Sequence, residues 1–600
     1  MRRFAWALWV LLAVPATIEL RRLHVDNSLD GWIPQLRSRG PFTTYVVVGW
    51  PAQRFAPGLI EAALRAAPGV LLSLDRQTIL PLTLAGVATP QDLVISNDGS
   101  YAGAFCFSDG RLSDAQFVQG VREAIAGFDP SRADDVAVAG PAAFRVAMDE
   151  GSRARMPLII CCIVVGGGLL LRWVTSCWHT ALVSVTAVII SQIILLGLIV
   201  RQGHAIDMSL SMIPPLMMSL GFSYAAHRAI RRGSTIALIL CGTTTAAGIA
   251  SFAFSGLEPI RLFARYGTIG LILVWLATFT LVRPITRGVS RTGLATPFLR
   301  IVLYLARTKR ASVVMPILGI VLVVTVAVLP YVQFEFDAVN YFEPSTPIAR
   351  DFRTLDARLT GMLPFQVAVS GKHDPTSMLM HAPGMRKVID ISSIVRGDDR
   401  LYWCLADNDA LAAIIEDEPR RNAWAAENSV TLSWLGVAAQ LATGERLVRE
   451  NAAAAIPTMG LLAGLAATVA TKRLDSLWLG LVGALTPVAV LLLFVVALEI
   501  PLGLPSLVIG GIAVGLAIDD TLHLATTAQR RGSAARAVLE CFRPCVGSSI
   551  TAGACLMLFL MSPLAPIRQF GSLMASAALI GMLVNQFAIP QFIARQRRRG

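Results

Sequence analysis

Long apolar runs alternate with short basic segments along this chain, and two stretches of mixed composition interrupt the alternation. The apolar runs fall near residues 4–20, 156–171, 180–200, 208–230, 235–254, 263–282, 311–332, 454–470, 477–498, 502–525, 537–560 and 570–593, twelve in all. Each has about the length a helix needs to cross a hydrocarbon core of ~30 Å. The mixed stretches follow the first and the seventh runs. The first carries strand-like runs, Tyr45-Val46-Val47-Val48 and Val136-Ala137-Val138-Ala139, with helical patterns at 57–67 and 114–126 between them, as in a small α+β domain.

The pattern predicts a polytopic α-helical membrane protein with two small external α+β domains. In order the chain reads as a first spanning helix (1–20), an external domain (21–155), helices two to six (156–283), a cytoplasmic linker (284–310), helix seven (311–332), a second external domain (333–453), helices eight to twelve (454–594) and a basic cytoplasmic tail (595–600). Arg21 and Arg22, directly after the first run, favour a retained anchor over a cleaved signal peptide.

Composition agrees: 54% of residues are apolar and 15% charged, against about 25% charged in soluble domains. The net charge of +13 does not point to nucleic acid, because its basic residues cluster between apolar runs. Arg2-Arg3, Arg172, Arg228, Arg231, Arg232, the stretch 283–310, Lys472-Arg473, Arg530, Arg531, Arg536 and the tail 595–599 all fall on one side of a twelve-helix count. That side is cytoplasmic by the positive-inside pattern, with both termini on it and both mixed domains outside. A bacterial inner membrane is the expected location.

Within the tenth run lies Gly515-Leu516-Ala517-Ile518-Asp519-Asp520-Thr521-Leu522-His523. One ionised Asp at mid-membrane costs roughly 2.5–3.5 kcal/mol, so a pair there is a functional candidate. On a helix Asp519 and His523 share a face, while Asp520 points about 100° further round, so the two carboxylates can meet different neighbours. Adjacent like charges in a low dielectric titrate as a coupled unit, which is the chemistry of a proton relay. His523 reads equally as a proton carrier or as a satisfied interfacial histidine.

The two halves read as copies. Leu29-Asp30-Gly31-Trp32-Ile33-Pro34 corresponds to Val339-Asn340-Tyr341-Phe342-Glu343-Pro344, and Ala139-Gly140 to Leu435-Gly436. Gly242-Thr243-Thr244-Thr245-Ala246-Ala247-Gly248 in the fifth run corresponds to Gly547-Ser548-Ser549-Ile550-Thr551-Ala552-Gly553 in the eleventh, and Pro259-Ile260-Arg261 to Pro566-Ile567-Arg568. Six spans per half make the repeats parallel, related by an axis along the membrane normal. The alignment sets Ser223 and His227 of the fourth run against Asp519 and His523 of the tenth. The expected polar centre is Asp519, Asp520 and His523, supported by Ser223, His227, Thr243, Thr244, Ser548, Ser549 and Thr551.

Several of these residues also have plainer readings. His227, followed by Arg228, leans structural, and helix hydroxyls commonly bond their own backbone. Pro214-Pro215 and Pro505 read as bends in the fourth and tenth helices. Trp32, Trp50, Trp403 and Trp434 read as core residues more readily than as a substrate path. Glu258 and Arg261 read as a surface ion pair. The nine cysteines form no disulfide framework; Cys541 and Cys545 lack the spacing and partner histidines of a zinc site, so they read as small core residues. No GxxxxGK[ST] loop, Ser-His-Asp triad or metal-ligand constellation is visible, so neither an enzyme nor a cofactor is expected.

With these motifs in place, the chain resembles the resistance-nodulation-division (RND) superfamily. It is most similar to the lipid-exporter branch grouped with the mycobacterial large membrane proteins (MMPL), and more distantly to Patched, Dispatched and the sterol-sensing relatives. The resemblance spans nearly all 600 residues, and its most specific pieces are Gly515 to His523, Gly547 to Gly553 and Pro566 to Gly571. It implies proton-driven export of a lipid or other hydrophobic small molecule, with acids of helices four and ten as the relay and porter-like external domains handling substrate. Self-association and a periplasmic carrier stay open as further partners. The chain departs from the family at Ser223, where relatives commonly carry aspartate, and its external domains are too short for the docking domains of drug-efflux relatives. The departures keep a second reading alive, a non-transporting lipid-sensing or accessory membrane protein of the same fold.

Overall fold

The computed structural model describes residues 2–24, 44–56, 58–77, 94–96, 98–230, 235–255, 258–284, 296–307, 311–333, 338–359, 365–371, 373–381, 385–390, 400–406, 418–435, 457–503, 506 and 508–599. The motif Leu29 to Pro34, Arg231, Arg232, Gly436 and Pro505 lie outside these residues, as do the side chains of Trp403 and Trp434.

In chain order the main elements of the first half are α1 (Arg2–Glu19), β1 (Tyr45–Pro51), α2 (Leu59–Arg65), β2 (Val70–Leu74), β3 (Tyr101–Ser108), α3 (Asp114–Phe128), β4 (Ala137–Ala139), α4 (Pro141–Thr175), α5 (Trp178–Arg201), α6 (Ile213–Ala229), α7 (Thr235–Ala250) and α8 (Glu258–Leu281). There follow α9 (Thr296–Arg307), α10 (Ala311–Val328), α11 (Pro347–Arg358), β5 (Phe365–Ser370), β6 (Met385–Asp390), β7 (Arg400–Ala406), α12 (Glu418–Glu427), β8 (Thr431–Leu435), α13 (Pro457–Thr471), α14 (Ser476–Ala497), α15 (Ile509–Arg531), α16 (Ala534–Met557), α17 (Ala565–Phe587) and α18 (Ile589–Arg599). They divide into two compact units, one of residues 1–26, 152–335 and 448–600, the other of 27–151 and 336–447.

The second unit contains both mixed stretches. Each supplies one antiparallel four-stranded sheet, ordered β2-β3-β1-β4 and β6-β7-β5-β8, so the same strand path occurs twice. The helical pattern that opens α3 is fixed by a capping box, in which Ser113 Oγ accepts from Gln116 N–H and Gln116 Oε1 accepts from Ser113 N–H. Strand β1 is buried along most of its length, Trp50 included, and α11 covers the face that Gly49 presents. The cover needs glycine beneath it: a Cβ on Gly49 would stand 2.3 Å from Leu355 Cδ2, and one on Gly103 2.5 Å from Leu359 Cδ1. Asp351 of α11 accepts the N–H of Val138 at 3.2 Å on edge strand β4. Phe144 packs edge-on against Tyr341 and Phe342, with centroids 5.8 and 5.5 Å away. A second-half helix therefore completes the first-half sheet.

The first unit is helical. Among the described residues nine helices are long and apolar enough to cross a membrane, which makes this a multi-pass helical membrane protein: Phe4–Arg22, Pro141–Thr175, Trp178–Arg201, Thr235–Phe254, Glu258–Leu281, Ser476–Ala497, Ile509–Arg531, Ala534–Met561 and Ala565–Arg595. The other three expected spans coincide with α6 and with two shorter apolar helices, Pro316–Tyr331 and Pro457–Thr471. The fourth run is shorter than expected because Met212 separates a first turn, Met208–Ser211, from α6. Pro214 and Pro215 then occupy the opening turn of α6, where a missing N–H costs nothing. The second run is longer than expected: α4 begins at Pro141, and its residues up to Gly151 belong to the second unit. The linker 284–310 contains a helix, α9, whose Val302 is buried in a cluster with Cys541, Phe542 and Ile589.

Matching contacts recur in the two halves of this unit. Ile206 N–H donates to His24 C=O at 2.8 Å, and Leu502 N–H to Gln333 C=O at 2.9 Å. Helices α7 and α16 both end in a 3₁₀ turn, Ser251–Phe254 and Leu558–Met561, closed by Ser255 N–H on Phe252 C=O and Ser562 N–H on Phe559 C=O. The packing then crosses over: α7 lies against α15, and α16 against α6. Every residue of α6 except Arg228 is buried, and so is nearly all of α15 up to Ala528.

Candidate functional site

Helix α15 is locked in rotation before it presents any chemistry. Thr521 Oγ1 donates to Asn585 Oδ1 at 2.5 Å, and Asn585 Nδ2 donates to the carbonyl of Ala517 at 2.9 Å. Both bonds come from α17 and hold one face of α15. On another face Gly511 and Gly248 of α7 meet backbone to backbone, since a Cβ on Gly248 would lie 2.7 Å from the Gly511 oxygen. Gly515 sits equally close over Thr245, with 2.7 Å from a would-be Cβ to the Thr245 Cα. With two faces occupied, Asp519 is turned toward α7 and Asp520 toward α6 and α16.

Asp520 is the better partnered of the two. Ser549 Oγ donates to its Oδ2 at 3.0 Å, and His227 Nε2 stands 3.5 Å from its Oδ1. The last distance exceeds a normal hydrogen bond, and His227 Nε2 has no hydrogen-bond partner. The His227 ring stacks on His523, 4.3 Å between centroids and 5° from parallel. His523 Nε2 and Asp519 Oδ1 are likewise buried without a hydrogen-bond partner. Asp519, Asp520 and His523 are each no more than 4% exposed.

The expected residues are not all assembled. Asp519, Asp520, His523, His227 and Ser549 come together. Ser223 and Thr244 are buried nearby on α6 and α7, but Thr244 gives its hydroxyl to the carbonyls of Leu240 and Cys241. Ser548 and Thr551 bond the carbonyls of Cys545 and Gly547, one turn back on their own helix. Thr243 does not belong to the centre. It is exposed and bonded to Leu240 C=O, and Thr245 takes the inward position. The reason is that α7 is apolar on most sides, so the sequence did not mark which of three consecutive threonines faces α15. His227, expected to lean structural, is the residue that joins α6 to Asp520 and His523.

Three cysteines set aside as core residues touch the centre. Cys241 Sγ donates to the carbonyl of Asp519 at 3.6 Å, and Cys541 Sγ to that of His523 at 3.5 Å. The expectation that Cys545 has no histidine partner is corrected by the fold. A ligand atom of Cys545, one of His227 and one of Asp520 all lie within 4.8 Å of one another. The spacing rule failed because it looked for histidine near the cysteines in sequence, whereas α6 brings it from the other half. The Glu258–Arg261 pair is present and partly exposed, as an ordinary ion pair between neighbouring turns.

Neither the protein-family models nor the curated proteins compared with the chain match it.

Proposed function

We propose that the protein is a proton-driven RND-type exporter, of the MMPL-like branch, for a hydrophobic or lipid-like substrate. The reading takes α6, α10 and α13 as spans beside the nine long helices, giving twelve in two parallel six-helix repeats. Each repeat carries a porter-like external domain, and the chain sits in a bacterial inner membrane with both termini in the cytoplasm. The observation that carries it is the position of the carboxylates: Asp520 lies between Ser549 of its own half and His227 of the other, inside a helical unit where ionisable groups are costly. The doubled strand path and the paired backbone bonds at Ile206 and Leu502 support the duplication.

In this mechanism a proton reaching Asp519 or Asp520 removes buried charge at the contact between halves. The contact then repacks, and the external domains shift between loading and releasing states.

Ser223 favours the second reading, since no carboxylate stands on α6 to answer Asp519 and Asp520. A lipid-sensing or accessory protein of this fold would bind lipid without moving protons. The deciding experiment is proton flux in liposomes of defined lipid composition, wild type against Asp519→Asn/Asp520→Asn. Lipid-dependent flux that the double variant lacks, with its fold intact, supports the exporter; equal flux in both, or none in well-folded wild type across several lipid mixtures, overturns it.

A further inference from the structure

We infer that the pocket between α6, α15 and α16 binds one divalent transition-metal ion of the zinc type, held by His227, Asp520 and Cys545. The three ligand atoms already lie within 4.8 Å of one another, and His227 Nε2 is 3.5 Å from Asp520 Oδ1. In a tetrahedral zinc site, bonds of about 2.0–2.3 Å put neighbouring nitrogen, oxygen and sulfur ligand atoms ~3.3–3.6 Å apart, so the pocket needs to contract by up to about 1.5 Å. Asp520 Oδ2 is fixed by Ser549, which leaves Oδ1 turned toward His227. His227 Nε2 is buried and bonded to no donor or acceptor, a free imidazole nitrogen aimed at the site.

Charge supplies the second argument. A thiolate and a carboxylate together bring two negative charges, a neutral imidazole brings none, and a divalent cation cancels the sum. A neutral cluster is the form that a buried position tolerates best. The donor set selects the ion's class: sulfur and nitrogen suit zinc or cobalt and disfavour magnesium or calcium. Three protein ligands leave the fourth position for water. Ser549 supports the carboxylate with an outer hydrogen bond of the kind such sites use, and His523 packs flat on the imidazole ring. On binding, the Cys545 thiol releases its proton to solvent and its sulfur bonds the ion; no oxidant or reductant takes part.

Bound there, the ion would tie α6 of one half to α15 and α16 of the other. The inference needs only the pocket's geometry and holds whether or not the chain transports anything.

The test is cobalt(II) titration of the purified full-length protein in detergent, read by absorption. The expected result is one equivalent per chain, tetrahedral cobalt bands in the visible, and a thiolate-to-cobalt charge-transfer band that zinc abolishes by competition. Cys545→Ser should remove the charge-transfer band, and His227→Gln should weaken binding by at least about a hundredfold; Ser549→Ala, which touches only the carboxylate, should weaken it by roughly 10–100-fold. Cys555→Ser should leave the spectrum unchanged. Absence of the band in folded wild type, or its persistence in Cys545→Ser, overturns the inference. Zinc should also raise the unfolding temperature of wild type and not that of Cys545→Ser, and an equal rise in both would overturn the assignment of Cys545.

Discussion

His227 and His523 stack on each other although they occupy equivalent positions in the two halves, each four residues after the polar residue aligned with it, Ser223 or Asp519. In the proposed duplication, equivalent residues touch only close to the axis that relates the copies. On that proposal the stack marks the axis, and Asp520 Oδ1 stands 3.5 Å from His227 Nε2.

The first prediction separates ring from nitrogen. His227→Phe keeps an aromatic face for His523 but removes the atom nearest Asp520. At 3.5 Å the two groups make no normal hydrogen bond, so the unfolding temperature should change little, while proton flux in liposomes should fall if the proposed relay passes through His227. Unchanged flux would assign His227 to packing alone.

The second concerns the glycine contact between α7 and α15. Gly248→Val places a side chain against the Gly511 carbonyl, which backbone cannot yield cheaply. Overpacking of this kind costs about 1–3 kcal/mol, visible as earlier thermal unfolding in detergent. Gly166→Ala and Gly319→Ala have open space around the new methyl group and should unfold like wild type.

The third is a pH dependence in the soluble unit. Burial raises the pKa of Asp351 above the ordinary 3.8, against the opposing bond from Val138 N–H and the nearby Arg350 and Arg122. An acid raised in the folded state contributes its full stability below its ordinary pKa and loses it as pH rises through the folded value. Resistance of this unit to limited proteolysis should therefore decline as pH climbs from the ordinary carboxylate range through the raised value of Asp351. Asp351→Asn, whose amide oxygen can still accept from Val138, should flatten that decline; an identical profile in the variant would contradict the assignment.

The fourth reports both reactivity and side. Hydrogen bonds from the Thr180 hydroxyl and backbone, with Arg172 nearby, lower the pKa of the half-buried Cys177 thiol between α4 and α5. In sealed vesicles of known orientation, a membrane-impermeant alkylating reagent should label Cys177 from the cytoplasmic face only. Thr180→Ala should slow the labelling. Labelling from the outer face would invert the proposed topology.

The sequence reading reached Asp519, Asp520 and His523 because ionisable groups in an apolar run stand out by their cost alone. It reached Ser549 by pairing the two halves. It passed over Cys241, Cys541 and Cys545, because cysteine among apolar residues looks like any small hydrophobe until a partner from another helix is known. It chose Thr243 over Thr245 for a related reason: three threonines in a row carry no facing information when the helix is apolar around them. The soluble elements were read closely, Tyr45 to Val48 as part of β1 and 114–126 as α3, since alternation and a capping box are local signals. The cover of β1 by α11 was invisible, because it joins residues from different halves.

The crossed packing of α7 on α15 and of α16 on α6 has a consequence for biogenesis. Asp520 is synthesised after His227 but before Ser549 and Cys545, so its surroundings stay incomplete until α16 has been inserted. A nascent chain that stalls before α16 leaves both carboxylates and two imidazoles without the wall that encloses them. The polar centre is thus among the last parts of the membrane unit to close.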